Sequence, residues 1–174
     1  FKQLFPAARV TGFEPDPAVF AALRENMRSF GFDDVELVNK ALWTEDQRLE
    51  FHCDGADGGR LHRGHSQGQR LQVEACRLRS YLDEPVEMLK LDIEGAEVDV
   101  LLDCRDRLKH VSNCFVEYHS FAGQPQRLDE LLGVLRQAGF RVQIHTQFGS
   151  PHPLVARRTT LEMDFQADIA AYRE

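Results

Sequence analysis

The chain has 174 residues, 43% hydrophobic and 28% charged, which suffices for one domain with a buried core, since domains commonly contain ~100–200 residues. Its formal net charge of −7 disfavours duplex nucleic acid and anionic membrane surfaces as partners, and no apolar run approaches the ~20 residues of a membrane span. The four cysteines form no CxxC pair, which favours buried thiols in a reducing cytoplasm over a zinc cage.

The first part of the chain predicts a strand–helix–strand unit. Residues 9–14 read as a strand, and a helix follows with Asp16 as its N-cap and Pro17 at its first position. Gly31 ends this helix, and residues 35–39 form the next strand. The helix presents one apolar face: Phe20, Leu23, Met27 and Phe30.

A hairpin insertion is predicted over about residues 48–76. Residues 49–53 and 71–76 alternate apolar and polar side chains, as half-buried strands do. Residues 54–69 between them carry five glycines and two histidines, so they form either a lid over a site or a mobile hairpin tip. Trp43 either stacks on a ligand ring or packs against this hairpin.

The central stretch, residues 86–98, reads VEMLKLDIEGAEV. An apolar strand is followed by three carboxylates around Gly95, and then by helical apolar spacing. Glu97 fits the role of an acid in the first helical turn, facing the helix macrodipole. Asp92 fits that role poorly, because it directly follows a buried strand. Ligands of parallel sheets bind at the carboxyl ends of the strands, so Asp92 is placed at a candidate site.

The rest of the chain predicts further strands and one helix. Residues 111–119 form a strand, and residues 125–138 form an amphipathic helix that ends at Gly139. Residues 140–145 and 169–172 are joined without a full helix, which indicates an antiparallel hairpin at the sheet edge. The pattern is that of an α/β sandwich whose sheet is mostly parallel with an antiparallel last strand.

Glu14 ends an apolar strand and precedes a helix. In doubly wound folds that bind adenosine cofactors, an acid at this place accepts hydrogen bonds from ribose hydroxyls. The alternative is a surface acid near a helix N-terminus, and its position alone does not separate the two.

Four blocks, GFEPDPAVFAALRENM, VELVNKALW, VEMLKLDIEGAEVDVLL and FVEYHSF, resemble in order and spacing the FkbM family of S-adenosylmethionine-dependent methyltransferases. The resemblance covers the chain from Val10 to about Tyr172. It implies a Rossmann-like class I methyltransferase fold, S-adenosylmethionine as methyl donor, and a hydroxyl of a small molecule, sugar or polyketide-like compound as acceptor.

The resemblance also implies roles for individual residues. Glu14 would hold the ribose, and Asn39 and Ala41 would lie near the adenine or the edge of the donor. Asp92 would lie beside the methionine portion or the reacting centre. Three further residues would line the acceptor side: Glu94, Glu117 and His119.

One part of the family pattern does not occur in this sequence. The glycine-rich loop that follows the family's first strand would lie just before Phe1, as would the strand itself. We therefore expect a single methyltransferase domain, residues 1–174, that is incomplete at its N-terminus.

Methyl transfer needs alignment of the acceptor oxygen with the methyl donor and removal of the hydroxyl proton. A base of near-neutral pKa suits that step, which makes His119 the preferred candidate, with Asp92 and Glu117 as further catalytic candidates. The alternative for His119 is a structural hydrogen bond to a backbone carbonyl.

Three other possibilities stay open at this point, one about a metal and two about the function. A divalent metal such as Mg²⁺ could be held by four side chains from two strand ends: Asp92, Glu94, Glu117 and His119. In place of a methyltransferase, the chain could be a nicotinamide-dependent oxidoreductase on a similar sheet, or a non-catalytic binding domain.

Overall fold

The structure is a computed structural model that describes residues 1–53, 60–61 and 69–173. The described chain forms two compact units, Phe1–Cys76 and Arg77–Glu174. The predicted lid or hairpin tip, residues 54–69, lies outside the described residues apart from 60–61 and 69. The single-domain organisation stays a prediction.

The first unit begins with the predicted strand–helix–strand motif. Strand β1 (Thr11–Phe13) pairs in parallel with β2 (Glu36–Val38), and helix α1 (Pro17–Ser29) connects them. The Asp16 carboxylate accepts hydrogen bonds from the backbone N–H groups of Ala18 at 2.7 Å and Val19 at 3.3 Å. Asp16 is therefore the N-cap, as predicted.

The C-terminal end of α1 confirms the predicted glycine stop and corrects one detail. Gly31 has φ 72°, a conformation that glycine adopts at little cost. Phe30, predicted on the apolar face of the helix, is 60% exposed. It occupies the C-cap, beyond the last helical residue. Its ring stacks on that of Phe32 with centroids 6.0 Å apart, so each ring shields one face of the other.

The predicted hairpin belongs to a second small sheet in the same unit. Its strands are β3 (Ala41–Trp43), β4 (Arg48–Cys53), β5 (Arg60–Leu61) and β6 (Gln69–Arg77), in the order β3-β6-β4-β5. The buried cluster in this sheet contains Ala41, Phe51, Val73 and Ala75, and Trp43 packs against it. Trp43 therefore packs against the hairpin, as one of the two alternatives predicted, and stacking on a ligand ring stays a prediction.

The second unit contains a four-stranded sheet in the order β7-β8-β10-β9. Its strands are β7 (Val86–Leu91), β8 (Val111–Phe121), β9 (Arg141–Gly149) and β10 (Met163–Tyr172). Strands β7 and β8 are parallel, whereas β10 is antiparallel to both β8 and β9. The predicted antiparallel hairpin is present and consists of β9 and β10. The last strand, β10, lies inside the sheet between β8 and β9, and β9 forms the edge.

The second unit contains two α-helices, α2 (Glu97–Asp103) and α3 (Leu128–Gln137), in the part of the chain that the structure describes. Six large apolar side chains of these helices and of the central strands are completely buried: Leu91, Leu101, Val116, Leu131, Leu135 and Ile169. This core fixes the carboxyl ends of β7 and β8, where the acidic residues lie. Short 3₁₀ helices, Leu78–Tyr81 and Leu108–His110, precede β7 and β8.

Candidate functional site

The turn between β7 and α2 is built around a glycine that no other residue can replace without strain. Glu94 has φ 55° and Gly95 has φ 100°, so two successive residues adopt left-handed conformations. A Cβ atom on Gly95 would lie 2.8 Å from Cε2 of Phe121, closer than van der Waals contact allows. The turn therefore depends on both the conformational freedom and the small size of Gly95.

Glu97 fixes this turn from within. Its side chain is fully buried, and its Oε1 accepts hydrogen bonds from the backbone N–H groups of Ile93 at 3.2 Å and Gly95 at 3.0 Å. The interpretation of Glu97 as a first-turn acid facing the helix dipole was incomplete. It begins α2, and its carboxylate also satisfies backbone donors of the preceding turn.

The same carboxylate binds His119, near the end of β8. His119 Nδ1 lies 2.9 Å from Glu97 Oε1, while Nε2 lies 3.8 Å from Glu94 Oε2 and 3.3 Å from Nε2 of Gln166. The His119 side chain is only 2% exposed. The described partners of the imidazole are thus side chains, and the alternative of a backbone carbonyl is wrong.

The environment of His119 also changes its acid–base chemistry. Burial by itself lowers the pKa of an imidazole, but the hydrogen bond to Glu97 and the charges of Glu97, Glu94 and Asp92 outweigh it and raise the pKa of His119 to about 9. The expectation of a near-neutral pKa was wrong. At neutral pH the imidazole in this arrangement is protonated and paired with Glu97.

The predicted acidic residues do gather at the carboxyl ends of β7 and β8. Lys90 Nζ lies 2.7 Å from Asp92 Oδ2 and 3.8 Å from Glu117 Oε1. Burial and, to a smaller extent, the charge of Asp92 raise the pKa of Glu117, and the charge of Lys90 opposes this shift. Burial also raises the pKa of Glu94, and His119 opposes that shift.

Three of the four predicted metal ligands come close together. One ligand atom from each of Asp92, Glu94 and His119 lies within 4.8 Å of the others. Glu117, the fourth, contacts Lys90 and Gln166 instead. Sequence reasoning did not single out Lys90 and Gln166, and it assigned Glu97 only to the helix dipole. No local pattern predicts the contact between Glu97 and His119, since the two are 22 residues apart.

Three of the four predicted cofactor residues, Glu14, Asn39 and Ala41, lie in the first unit, whereas Asp92 lies in the second. Glu14 Oε1 accepts a hydrogen bond from the Asp16 backbone N–H at 2.8 Å, which orients this carboxylate at the end of β1. Asn39 Nδ2 donates to the backbone oxygens of Glu14 at 2.7 Å and Pro15 at 3.2 Å. Ala41 is buried in the core of the hairpin sheet. Contact of these three residues with a cofactor stays a prediction.

Solved structures define the class of fold. The FkbM methyltransferase from Methylobacillus flagellatus superposes with a TM-score of 0.57 at 14% identity, over 92% of this chain and 36% of that one. The precorrin-6y C5,15-methyltransferase from Geobacter metallireducens gives a TM-score of 0.51 at 14% identity, over 99% and 71% of the two chains. The fold is therefore the Rossmann-like class I methyltransferase fold, as predicted.

The sequence defines the family. A family model described as the methyltransferase FkbM domain matches residues 1–142. The chain belongs to this family, which confirms the resemblance carried by the GFEPDP and LDIEGAE blocks. The matched range includes the β7–α2 turn and His119, so the family model covers the whole acidic site.

Two relatives with assigned names are similar to this chain. The 2-O-methyltransferase NoeI of Sinorhizobium fredii is 29% identical over 139 residues, which are 68% of this chain and 56% of that protein. Methyltransferase 1 of Beauveria bassiana is 26% identical over 190 residues, covering 90% of this chain and 74% of that protein. The match thus spans little more than half the length of NoeI.

None of the helices in the described residues is long and apolar enough to cross a membrane.

Proposed function

We propose that this chain belongs to an enzyme that transfers a methyl group from S-adenosylmethionine to a hydroxyl oxygen of a small-molecule, sugar or polyketide-like acceptor. The observation that carries this proposal is the match to the FkbM domain over residues 1–142. Transfer to oxygen is supported by the name of the relative NoeI, a 2-O-methyltransferase.

Glu14 is the proposed ribose ligand. Its carboxylate ends β1 and is oriented by the Asp16 N–H, and a carboxylate can accept hydrogen bonds from two neighbouring hydroxyls. Asn39 supports it from the end of β2, because its amide holds the backbone of Glu14 and Pro15. The buried side chain of Ala41 leaves only its backbone for a contact with the adenine.

The cofactor supplies an activated methyl group, so the protein must hold the acceptor and remove its proton. Asp92 lies at the end of β7 and is the proposed contact with the donor or the acceptor. Glu117 is the proposed proton acceptor, because burial and the charge of Asp92 raise the pKa of its carboxyl group and so its affinity for a proton. His119, protonated beside Glu97, positions Glu94 and accepts a proton only in alkaline solution.

The two alternative functions, an oxidoreductase and a non-catalytic binding domain, are less well supported. Membership of a methyltransferase family disfavours a nicotinamide-dependent oxidoreductase. A non-catalytic domain is the alternative that a binding experiment must reject.

The test is isothermal titration of the full-length protein with S-adenosylhomocysteine. We expect binding, and we expect Glu14→Gln to weaken it roughly ten- to hundredfold, since hydrogen bonds to a charged group contribute about 1.5–3 kcal/mol. Glu45→Gln is the matched control, because Glu45 is an exposed acid of the same unit. It should bind as the parental protein does.

Absence of binding at millimolar ligand would reject the proposed function. Equal affinities for Glu14→Gln and the parental protein would instead show that Glu14 does not hold the ribose.

A further inference from the structure

The geometry points to a divalent-cation site formed by Asp92, Glu94 and His119, which takes Mn²⁺ or Mg²⁺ and leaves coordination positions open for oxygen atoms of the acceptor. The role of the ion in holding the acceptor rests on the proposed function. Binding of the ion does not depend on that function and can be measured without cofactor or acceptor.

The three side chains are close enough to share one ion. Ligands of an octahedral ion lie about 3 Å apart when adjacent and about 4.2 Å apart when opposite, since each bond is about 2.1 Å long. Nε2 of His119 and Oε2 of Glu94 are 3.8 Å apart, and all three ligand atoms lie within 4.8 Å of one another. The His119 and Glu94 atoms would become adjacent ligands by approaching about 0.8 Å, or opposite ligands by separating about 0.4 Å.

The imidazole is held in the orientation that metal ligation requires. Glu97 binds Nδ1 at 2.9 Å, so Nε2 is the nitrogen directed towards Glu94. A carboxylate on the far nitrogen is the usual partner of a metal-bound histidine. Glu97 is itself fixed by backbone N–H groups of the turn, and Glu94 is carried on that same turn.

The charges around the site are not balanced by the described residues that contact it. Four carboxylates, Asp92, Glu94, Glu97 and Glu117, surround one imidazole, and the described ion pairs bring one ammonium group, that of Lys90, to them. Two negative charges remain when His119 carries a proton, and three remain when the ion replaces the proton on Nε2. A divalent cation would neutralise two of them.

The donor set indicates which ion is bound. Two carboxylates and one imidazole favour hard or borderline cations, and the cluster formed by the described residues contains no cysteine. Two described side chains would have to move away when the ion binds. The amide of Gln166 lies 3.3 Å from His119 Nε2, and the ammonium group of Lys90 occupies the carboxylate of Asp92.

The experiment is Mn²⁺ titration of the full-length protein, followed by the electron paramagnetic resonance signal of the free ion. We expect one site that is weakened at least about tenfold in both Asp92→Asn and Glu94→Gln. Glu84→Gln is the control, an exposed acid before the opposite end of β7, and should bind normally. Lys90→Met removes the competing ammonium group and should tighten binding.

Circular dichroism of each variant shows whether it is folded. Because two ligands are replaced in separate variants, the test stays valid if one of the two variants does not fold. The inference is overturned if the parental protein binds no Mn²⁺ below millimolar concentration, or if both Asp92→Asn and Glu94→Gln bind it with parental affinity. Methyl transfer could persist in either case, so failure of the cation site and failure of the proposed function are distinguishable.

Discussion

Replacing Gly95 with alanine tests whether the β7–α2 turn depends on a close backbone approach. The new Cβ atom would meet Cε2 of Phe121 at 2.8 Å, in a residue with φ 100°. Phe121 lies at the end of β8, in the strand that carries His119. The ring stacks on His119 with centroids 6.4 Å apart, so we expect a substitution that displaces it to perturb the site and to destabilise the fold.

The expected cost has two parts. A left-handed conformation costs a residue with a Cβ atom about 1–2 kcal/mol, and overpacking costs about 1–3 kcal/mol. Gly95→Ala should therefore lower the free energy of unfolding by about 2–5 kcal/mol. In a Phe121→Ala background the clash is absent, so the same substitution should cost only the conformational part, about 1–2 kcal/mol.

Gly133 provides a matched control within the same unit. It lies inside α3, and a Cβ atom there would meet nothing within 4 Å. Gly133→Ala should therefore stabilise the protein by about 0.5–1 kcal/mol, because alanine is the better helix former. The same chemical change is thus expected to have opposite signs at the two positions.

Urea denaturation followed by far-ultraviolet circular dichroism measures all four proteins against the parental chain. The reasoning is refuted if Gly95→Ala unfolds at the parental urea concentration, or if its cost is the same with and without the Phe121 ring.

Two other predictions concern buried groups. Glu97→Gln removes the charged partner of His119, so nuclear magnetic resonance should show the His119 pKa falling from about 9 towards or below 6.5. In the metal-free parental protein this pair stabilises the fold below pH 6.5, and the stabilisation, on the order of 3 kcal/mol, is lost as the pH rises through about 9. The variant should lack this slope, and persistence of a pKa near 9 would contradict the assignment. Burial raises the pKa of the Cys114 thiol to about 12, so peptide mass mapping should find it unmodified by iodoacetamide at pH 8 in the native protein, and rapid native alkylation would show that it is accessible.

Local patterns in the sequence were sufficient for much of the fold. Asp16 and Gly31 predicted both ends of α1, because capping depends on a few adjacent residues and their backbone conformation. Alternation of apolar residues predicted β4 and β6. An apolar run followed by Asp92 located the end of β7, and parallel strands place such ends at one rim, which brought Asp92, Glu117 and His119 together as expected.

Other features depended on contacts that no local pattern specifies. Phe30 continues the apolar spacing of α1, yet it is exposed, because the helix ends before it. The last strand lies between β8 and β9, since pairing between distant strands fixed its place.

The sequence by itself determined that acidic side chains end β1 and β7, because strand and turn signals are local. Only the tertiary structure decided what those side chains do to one another. Folding buries Glu97 against His119, 22 residues away, and burial together with the surrounding charges then sets the proton affinity of the imidazole. Both effects fall off steeply with distance in space, and distance in space between remote residues cannot be read along the chain.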